Sequence, residues 1–228
     1  MPPADPLRTA LGLEPVGWMM SPSERLTIIG LLATLRPPTA LELGCAEGGL
    51  TAWLSAYSGR VVTVDILPQV AQVAGRFPNV EALCMTSEEA VRKLEGEGRT
   101  FDLTVIDADH SEAGVRRDLE AALRFSRMIL LHDTYYPPCR DGMNTVLAGR
   151  DVYRDLDLVP GGLQPDGLWG GLGVVIPGLP RDASLHVTPR VSTFEYLKRR
   201  WLGEGQEQTQ AHGWRERARR WLAGANGA

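Results

Sequence analysis

The stretch that decides the fold is Thr39–Trp53, TALELGCAEGGLTAW. A short apolar run ends at Glu42, a glycine-rich turn follows at 44–49, and an apolar-periodic segment covers 50–56. This pattern predicts a strand, a tight turn and a helix. Glycine permits the backbone angles of such a reversal and lets a ligand lie against the chain, facing the unpaired first N–H groups of the helix. A single turn of this kind also occurs in ordinary α/β proteins, so alone it does not establish a nucleotide site.

The rest of the chain alternates between strand and helix patterns. Ser21 or Ser23 caps a helix that runs to about Arg36 and ends at two prolines. Strands are predicted at 60–66, 80–85, 101–106, 127–131, 156–159 and 172–176, with helices at 67–77, 86–95 and 115–125. This order predicts a doubly wound, Rossmann-like, seven-stranded and mostly parallel sheet with helices on both faces. Residues 134–149 are predicted as a loop over the site that precedes a helix near Asn144.

Length and composition restrict the class of protein. The 228 residues suffice for one domain with extensions: an arm and cap helix over 1–38, a core over 39–189 and a helical tail over 190–228. A net charge of −4 argues against a nucleic-acid-binding protein. Three unclustered cysteines and the absence of a basic-then-apolar leader predict a cytoplasmic protein without a membrane segment.

The tail over 190–228 differs from the rest of the chain. It carries eight basic and four acidic residues, interleaved with Phe194, Trp201, Trp214 and Trp221. Amphipathic helices that pack on the core or on a second subunit explain this composition better than docking on an anionic surface does. The apolar surface of such helices predicts a homo-oligomer, most simply a twofold dimer.

Polar side chains stand where the predicted strands end. In a parallel sheet these ends open onto one edge, where ligands bind. The residues expected to meet there are Glu42, Asp65, Ser87, Asp107, His132 and Asp133. A carboxylate such as Asp65, about 20 residues after the glycine turn, accepts hydrogen bonds from the ribose of either NAD or S-adenosylmethionine.

Three features favour S-adenosylmethionine over NAD. The turn lacks the G-x-G-x-x-G pattern that a dinucleotide pyrophosphate prefers. Glu42 is placed to receive a cationic methionine end, which a diphosphate does not have. Aspartates follow strands four and five, where hydride transfer does not require them. A nicotinamide-dependent oxidoreductase and a catalytically silent cofactor-binding protein are the alternatives.

Five segments together resemble the class I S-adenosylmethionine-dependent O-methyltransferases. They are MMSPSERLTIIGLLATL, LELGCAEGG, VVTVDI, FDLTVIDADHSEAGVRRDL and ILLHDT. The resemblance covers roughly residues 18–133 and is to the branch with metal-dependent catechol and caffeoyl-CoA enzymes and bacterial sugar O-methyltransferases. It implies methyl transfer to a hydroxyl of a small molecule: a sugar, a glycosylated natural product or a phenol.

The resemblance also implies roles for individual residues. The cofactor-binding set it implies is Met20, Ser21, Glu42, Gly44, Gly48, Asp65, Ser87 and Asp107. The metal ligands it implies are Asp107 and Asp133, with His132 as a possible third, since the family usually has aspartate at that position. Imidazole favours zinc, nickel or iron over magnesium, which leaves both the need for a metal and its identity open.

Two residues are candidates for the catalytic base. His110 stands where the catechol branch has a lysine, and Asp109 stands where the sugar branch has an aspartate. Either side chain is able to remove the proton of an acceptor hydroxyl. The alternative for both is structural: a helix cap followed by a histidine with a fixed partner.

Overall fold

The structure is a computed structural model, and it describes residues 17–161 and 169–182. The N-terminal arm before residue 17, the loop centre 162–168 and the predicted tail 190–228 lie outside the described residues. Within the described ranges, no helix is both long and apolar enough to cross a membrane.

Helices and strands alternate as the sequence predicts. The helices are α1 (Pro22–Leu35), α2 (Gly49–Tyr57), α3 (Gln69–Ala74), α4 (Ser87–Gly96), α5 (Glu112–Phe125) and α6 (Pro137–Leu147). The strands are β1 (Thr39–Leu43), β2 (Arg60–Asp65), β3 (Val80–Cys84), β4 (Phe101–Ile106), β5 (Ser126–His132), β6 (Tyr153–Val159) and β7 (Leu172–Ile176).

The seven strands form one sheet in the order β3-β2-β1-β4-β5-β7-β6. Strands β1 to β5 run parallel, and β7 is antiparallel to both β5 and β6. One apolar cluster packs α4, α5 and α6 against one face, and a second packs α1 and α2 against the other. The predicted doubly wound sheet is therefore confirmed, and its parallel strands end at a common edge.

Capping side chains explain where two of the helices begin. Ser21 caps α1, and Glu24 completes a reciprocal capping box. Thr86 and Glu89 form the same arrangement at the start of α4. Both sequences follow the pattern in which a hydroxyl and a carboxylate three residues apart satisfy each other's free N–H groups.

The predicted loop over 134–149 is wrong, because α6 already begins at Pro137. Pro137 and Pro138 occupy the first turn of this helix, where a missing N–H costs no hydrogen bond. Proline there starts the helix that we expected it to delay. Only a short connection, 133–136, separates β5 from α6.

Candidate active site

A cavity of about 1070 Å³ opens at the carboxyl edge of the parallel strands. Most of the residues singled out in the sequence line it: Ser21, Gly44, Asp65, Ser87, Asp107, Asp109, His110, His132 and Asp133. The topology brings them together, because each follows a strand or begins a helix at that edge. Met20, Glu42 and Gly48 are not among its lining residues.

The glycine turn is required by packing as well as by a ligand. Gly44 has φ +96°, and a Cβ there would lie 1.9 Å from the Asp107 carbonyl oxygen at the end of β4. Gly48 has φ +87°, and its Cβ would lie 2.4 Å from Val73 Cγ1 on α3. Gly48 therefore permits the turn to pack on α3 and does not face the cavity.

Asp65 closes the turn onto the end of β2. One carboxylate oxygen accepts hydrogen bonds from the amides of Cys45 at 3.0 Å and Ala46 at 2.8 Å, and the other accepts from Leu67 at 2.9 Å. Two amides of the glycine turn are thus bound by Asp65. A carboxylate has about four lone-pair positions, so Asp65 retains capacity for a ribose hydroxyl.

The proposed contact of Glu42 with a cationic methionine end does not match the structure. Its side chain is fully buried beneath the turn, where one oxygen accepts from the hydroxyls of Thr51 at 2.6 Å and Thr63 at 2.5 Å. Burial raises the pKa of Glu42 to about 8, against the opposing effect of these two hydroxyls. Glu42 is buried and does not line the cavity, so it is not placed to receive the cationic end.

The segment before α1 presents a different methionine from the one expected. Met20 is 7% exposed and packs in the core, whereas Met19 is 81% exposed and lines the cavity. Ser21, which caps α1, also lines the cavity. The segment therefore lines the cavity with Met19 and Ser21, whereas we predicted Met20 and Ser21.

The end of the cavity near β2 and β3 combines apolar surface with polar groups. Ile66, Leu67 and Met85 line it, and Ile66 is 66% exposed. Ser87 lies beside them, with Arg117 Nη2 3.4 Å from its hydroxyl oxygen. Among the described lining residues Arg117 is the one permanent cation. This end suits a flat, uncharged base with a ribose attached.

The end of the cavity near β4 and β5 holds two carboxylates and two imidazoles. His110 Nε2 lies 2.9 Å from Asp133 Oδ2 and 3.3 Å from Asp107 Oδ1. His132 Nδ1 lies 3.1 Å from Asp107 Oδ1 and 3.4 Å from Asp133 Oδ2. We call these four side chains the acid–imidazole cluster.

Charge within this cluster shifts the pKa of each member. Hydrogen bonds to Asp107 and Asp133 raise the pKa of His110 to about 9. Burial opposes the charged form of His132, but Asp107 and Asp133 raise its pKa all the same. Burial likewise opposes ionisation of both carboxylates, yet the two imidazoles lower the pKa of each. The cluster is thus a set of mutually neutralising ions.

Part of the cluster has the geometry of a metal site. One ligand atom from each of Asp107, His110 and Asp133 lies within 4.8 Å of the other two. The sequence pattern put His132 in this set, whereas the compact group contains His110. His132 is 6% exposed and approaches the two carboxylates from the protein side.

Asp133 stands in a backbone conformation that few residues adopt. Its φ is +52°, in the left-handed region where aspartate and asparagine are enriched among non-glycine residues. Its Oδ1 accepts a hydrogen bond from the Gly170 amide at 2.7 Å. This turn directs the other oxygen, Oδ2, towards the two imidazoles.

Asp109 differs from His110 in its surroundings. Its Oδ1 accepts from the Ser111 amide at 2.9 Å, and Arg117 Nη2 lies 3.5 Å from its Oδ2. The N-terminal cap of α5 is Ser111. Asp109 therefore has the structural contacts of the alternative interpretation while also lining the cavity.

Three further residues of the cavity were missed in the sequence. Glu24, Arg117 and Trp169 all line it. Glu24 had a readable signal, the capping box S-P-S-E, which indicates a helix start but not a site. Trp169 stacks on Tyr136 with ring centres 3.9 Å apart, and its edge contact with His110 spans 5.7 Å. Nothing in the loop GGLQPDGLWGG indicated that contact.

Comparison with known proteins relates part of the chain to one family. Residues 41–134, which contain the glycine turn, Asp65 and the acid–imidazole cluster, match the family described as methyltransferase domain. Over these residues the chain is similar to methyltransferase domains. The resemblance read from the sequence is confirmed at that level.

Solved structures agree with this fold. An O-methyltransferase from Bacillus cereus in complex with SAH is 22% identical, with a TM-score of 0.58 over 76% of this chain and 92% of that one. A putative O-methyltransferase from Klebsiella pneumoniae is 20% identical, with a TM-score of 0.56 over 75% and 87% of the two chains.

A third similar structure is that of a protein named as an N-methyltransferase. N-methyltransferase NodS from Bradyrhizobium japonicum, in complex with SAH, is 16% identical, with a TM-score of 0.51 over 75% of this chain and 97% of that one. The methyltransferase fold therefore serves both oxygen and nitrogen acceptors. No curated protein matches the chain.

Proposed function

We propose that this methyltransferase transfers the methyl group of S-adenosylmethionine to a hydroxyl of a small molecule, assisted by a divalent metal ion. The observation that carries this proposal is the acid–imidazole cluster at one end of a cavity whose other end suits an adenosine. Two of the similar structures named above are described as an O-methyltransferase and a putative O-methyltransferase, which supports oxygen as the acceptor.

The cavity fits the cofactor. Asp65 stands at the end of β2 with lone pairs to spare, and Ile66, Leu67 and Met85 offer apolar surface for an adenine ring. Ser87 and Arg117 provide polar groups at the same end. Met19 and Ser21 also line the cavity. A methyl donor with its adenosine at this end would have its reactive end towards the cluster.

The cluster fits a divalent cation. Carboxylate oxygens and an imidazole nitrogen are ordinary ligands, and their separations of 2.9 to 3.3 Å suit neighbouring positions around one ion. Without a cation, protonated His110 and His132 together balance the charges of Asp107 and Asp133. Ligands must be deprotonated to bind, so a cation competes with the proton on His110. A bound ion lowers the pKa of an acceptor hydroxyl and fixes its position.

The chain's own residues place the acceptor and take its proton. Methyl transfer requires the acceptor oxygen in line with the donor methyl group, and Asp107 and Asp133 are placed to hold that oxygen. His110 and Asp109 both reach the cavity and remain the two candidates for the base. Trp169 gives the acceptor an aromatic wall beside His110.

A small and uncharged acceptor agrees best with the charges around it. The described lining residues near the cluster include Glu24, Asp107, Asp109 and Asp133, whereas Arg117 lies at the other end beside Ser87. A phosphate or carboxylate on the acceptor would find no permanent cation at that end. Sugars, glycosylated natural products and phenols are the expected classes.

The direct test combines binding with turnover. Calorimetry should detect binding of S-adenosylmethionine and S-adenosylhomocysteine, and a panel of catechols and sugars should yield a methylated product by mass spectrometry. Tight binding of NADH instead, with reduced-cofactor absorbance, would support the nicotinamide-dependent alternative. Cofactor binding without turnover on any acceptor, with or without divalent ions, would support the catalytically silent alternative.

We also propose that the protein is cytoplasmic and forms a dimer, from its composition and the aromatic residues of its tail. Light scattering at micromolar concentration should give twice the 24.9 kDa chain mass. A mass equal to one chain would contradict the dimer.

A further inference from the structure

Glu24 makes more contacts than a helix cap needs. One of its oxygens, Oε2, accepts from the Ser21 amide at 2.5 Å and lies 3.7 Å from His132 Nε2. The other, Oε1, accepts from the Gly171 amide. The side chain is 2% exposed. One buried carboxylate thus touches the start of α1, the end of β5 and the residue before β7.

The segment that Glu24 holds has no freedom for larger residues. Gly170 and Gly171 have φ values of +85° and +96°, and a Cβ on Gly171 would lie 2.5 Å from Thr134 Oγ1. Their consecutive amides are bound by two carboxylates, Gly170 by Asp133 at 2.7 Å and Gly171 by Glu24. Both anchors therefore fix the backbone that directly follows Trp169.

This anchoring determines where Trp169 lies. Its ring is stacked on Tyr136 and meets the edge of His110 in the acid–imidazole cluster. The second carboxylate oxygen of Glu24 accepts from the amide of Ser21, and Ser21 lines the cavity together with Met19. The same side chain therefore links Ser21 to the aromatic wall of the cavity.

A second capping box in this chain shows what capping alone requires. Glu89 accepts from the Thr86 amide at 3.0 Å and is exposed. Burying a carboxylate has a substantial desolvation cost unless specific partners compensate for it. The burial of Glu24 among partners from three elements is therefore unexplained by capping.

We propose that Glu24 is a positioning residue, which holds Gly171, and through it Trp169, against the acid–imidazole cluster and fixes Ser21 over the cavity. That this end receives the acceptor rests on the proposed function. The contacts of Glu24 with Gly171 and Ser21 do not depend on that function, because they form without an acceptor or a metal ion.

The experiment compares Glu24→Gln with Glu89→Gln in the full chain. Glutamine has one acceptor oxygen, so either the Ser21 or the Gly171 amide loses its partner. Trp169→Phe first assigns the near-ultraviolet circular dichroism of the Trp169–Tyr136 stack. We expect Glu24→Gln to lose that signal and to bind S-adenosylhomocysteine at least 10-fold more weakly. Glu89→Gln should retain both, even if its unfolding temperature falls.

Two outcomes would overturn the proposal. The first is a folded Glu24→Gln variant that retains the Trp169 signal and the wild-type affinity for S-adenosylhomocysteine. The second applies if that variant does not fold. Amide exchange in the wild-type protein should then slow at Gly171 when S-adenosylhomocysteine binds. Protection confined to 18–24 would contradict the connection of Glu24 to Gly171. A wild-type protein that fails to bind S-adenosylhomocysteine would contradict the proposed function, and the dichroism comparison would still decide the role of Glu24.

Discussion

The two ends of the cavity are built on different principles. Near β2 and β3, the side chains of Ile66 and Leu67 are 66% and 45% exposed, and Asp65 is held by backbone amides. Near β4 and β5, His132 and Asp133 are 6% and 5% exposed and share charge with two further side chains. Apolar contact and backbone hydrogen bonds suffice for recognition. Ionic groups are buried at the end that we propose receives the acceptor, and electrostatic interactions are strongest away from water.

A large effect is expected from Asp133→Asn at the buried end. Asparagine tolerates the left-handed backbone of this position and can still accept from Gly170, so the fold should persist. Loss of the negative charge should reduce methyl transfer by about 100-fold or more, the scale of removing one preorganised electrostatic group. Affinity for S-adenosylhomocysteine, measured by calorimetry, should change little. A variant with wild-type turnover would remove Asp133 from the reaction.

Removal of divalent ions should act on the same end only. We expect a chelator to abolish methyl transfer and leave cofactor binding intact, with activity restored by metal add-back. If an imidazole is a ligand, manganese, nickel, iron or zinc should support turnover at least as well as magnesium. Full methyl transfer in chelator would show a metal-free site, in which His110 or Asp109 deprotonates the acceptor unaided.

At the open end, Asp65→Ala should weaken cofactor binding by about 1.5–3 kcal/mol, the scale of hydrogen bonds to a charged group. The variant also removes the carboxylate that accepts hydrogen bonds from the amides of Cys45 and Ala46. Calorimetry with S-adenosylhomocysteine measures the loss. Exposed Glu88 lines the same end and provides the matched control, because Glu88→Gln should bind normally. Equal losses in both variants would assign the effect to the charge of the cavity.

Substitution of each candidate base should show which of the two, His110 or Asp109, removes the proton of the acceptor. His110→Gln removes a side chain that touches both Asp107 and Asp133, whereas Asp109→Asn leaves an oxygen for the Ser111 amide. Loss of the true base should cost about 10²- to 10⁴-fold in turnover. Turnover of the two variants at saturating cofactor compares them directly. Similar turnover in both variants and in the wild type would exclude each as the base.

The smallest effect is expected beneath the cavity, at Glu42. Its pKa is raised from 4.5 to about 8 in the folded protein, so folding favours the protonated form. The stability this provides is complete below pH 4.5 and is lost as the pH rises through about 8. Relative to the wild type, Glu42→Gln should therefore become more stable as the pH rises across this window. Unfolding temperatures measured across it test this, and a constant difference between the two proteins would show that Glu42 does not titrate there.

Much of the site was predictable because strand ends can be read from sequence. Strand β4 covers the predicted residues 101–106, and Asp107 follows it directly into the cavity. Asp65 is the last residue of β2, and Asp133 directly follows β5. Parallel strands end at a common edge, so position along the chain alone predicts which of these side chains meet.

Other assignments depended on which side of the backbone a residue faces. Glu42 lies within β1 and turns under the sheet edge to Thr51 and Thr63, while Met20 turns into the core and leaves Met19 to line the cavity. A shift of one residue reverses the direction of a side chain in extended backbone. That choice is made by packing, which a pattern of residue types does not record.

By itself the sequence determined the alternation of strands and helices, the glycine turn and the carboxylates at the strand ends, because these follow from local backbone preferences and parallel topology. The tertiary structure decided which groups share charge. It brought His110 between Asp107 and Asp133, and it buried Glu24 against Gly171, 147 residues away along the chain. Such contacts join elements whose distance depends on how helices pack against the sheet, and no local pattern specifies that distance.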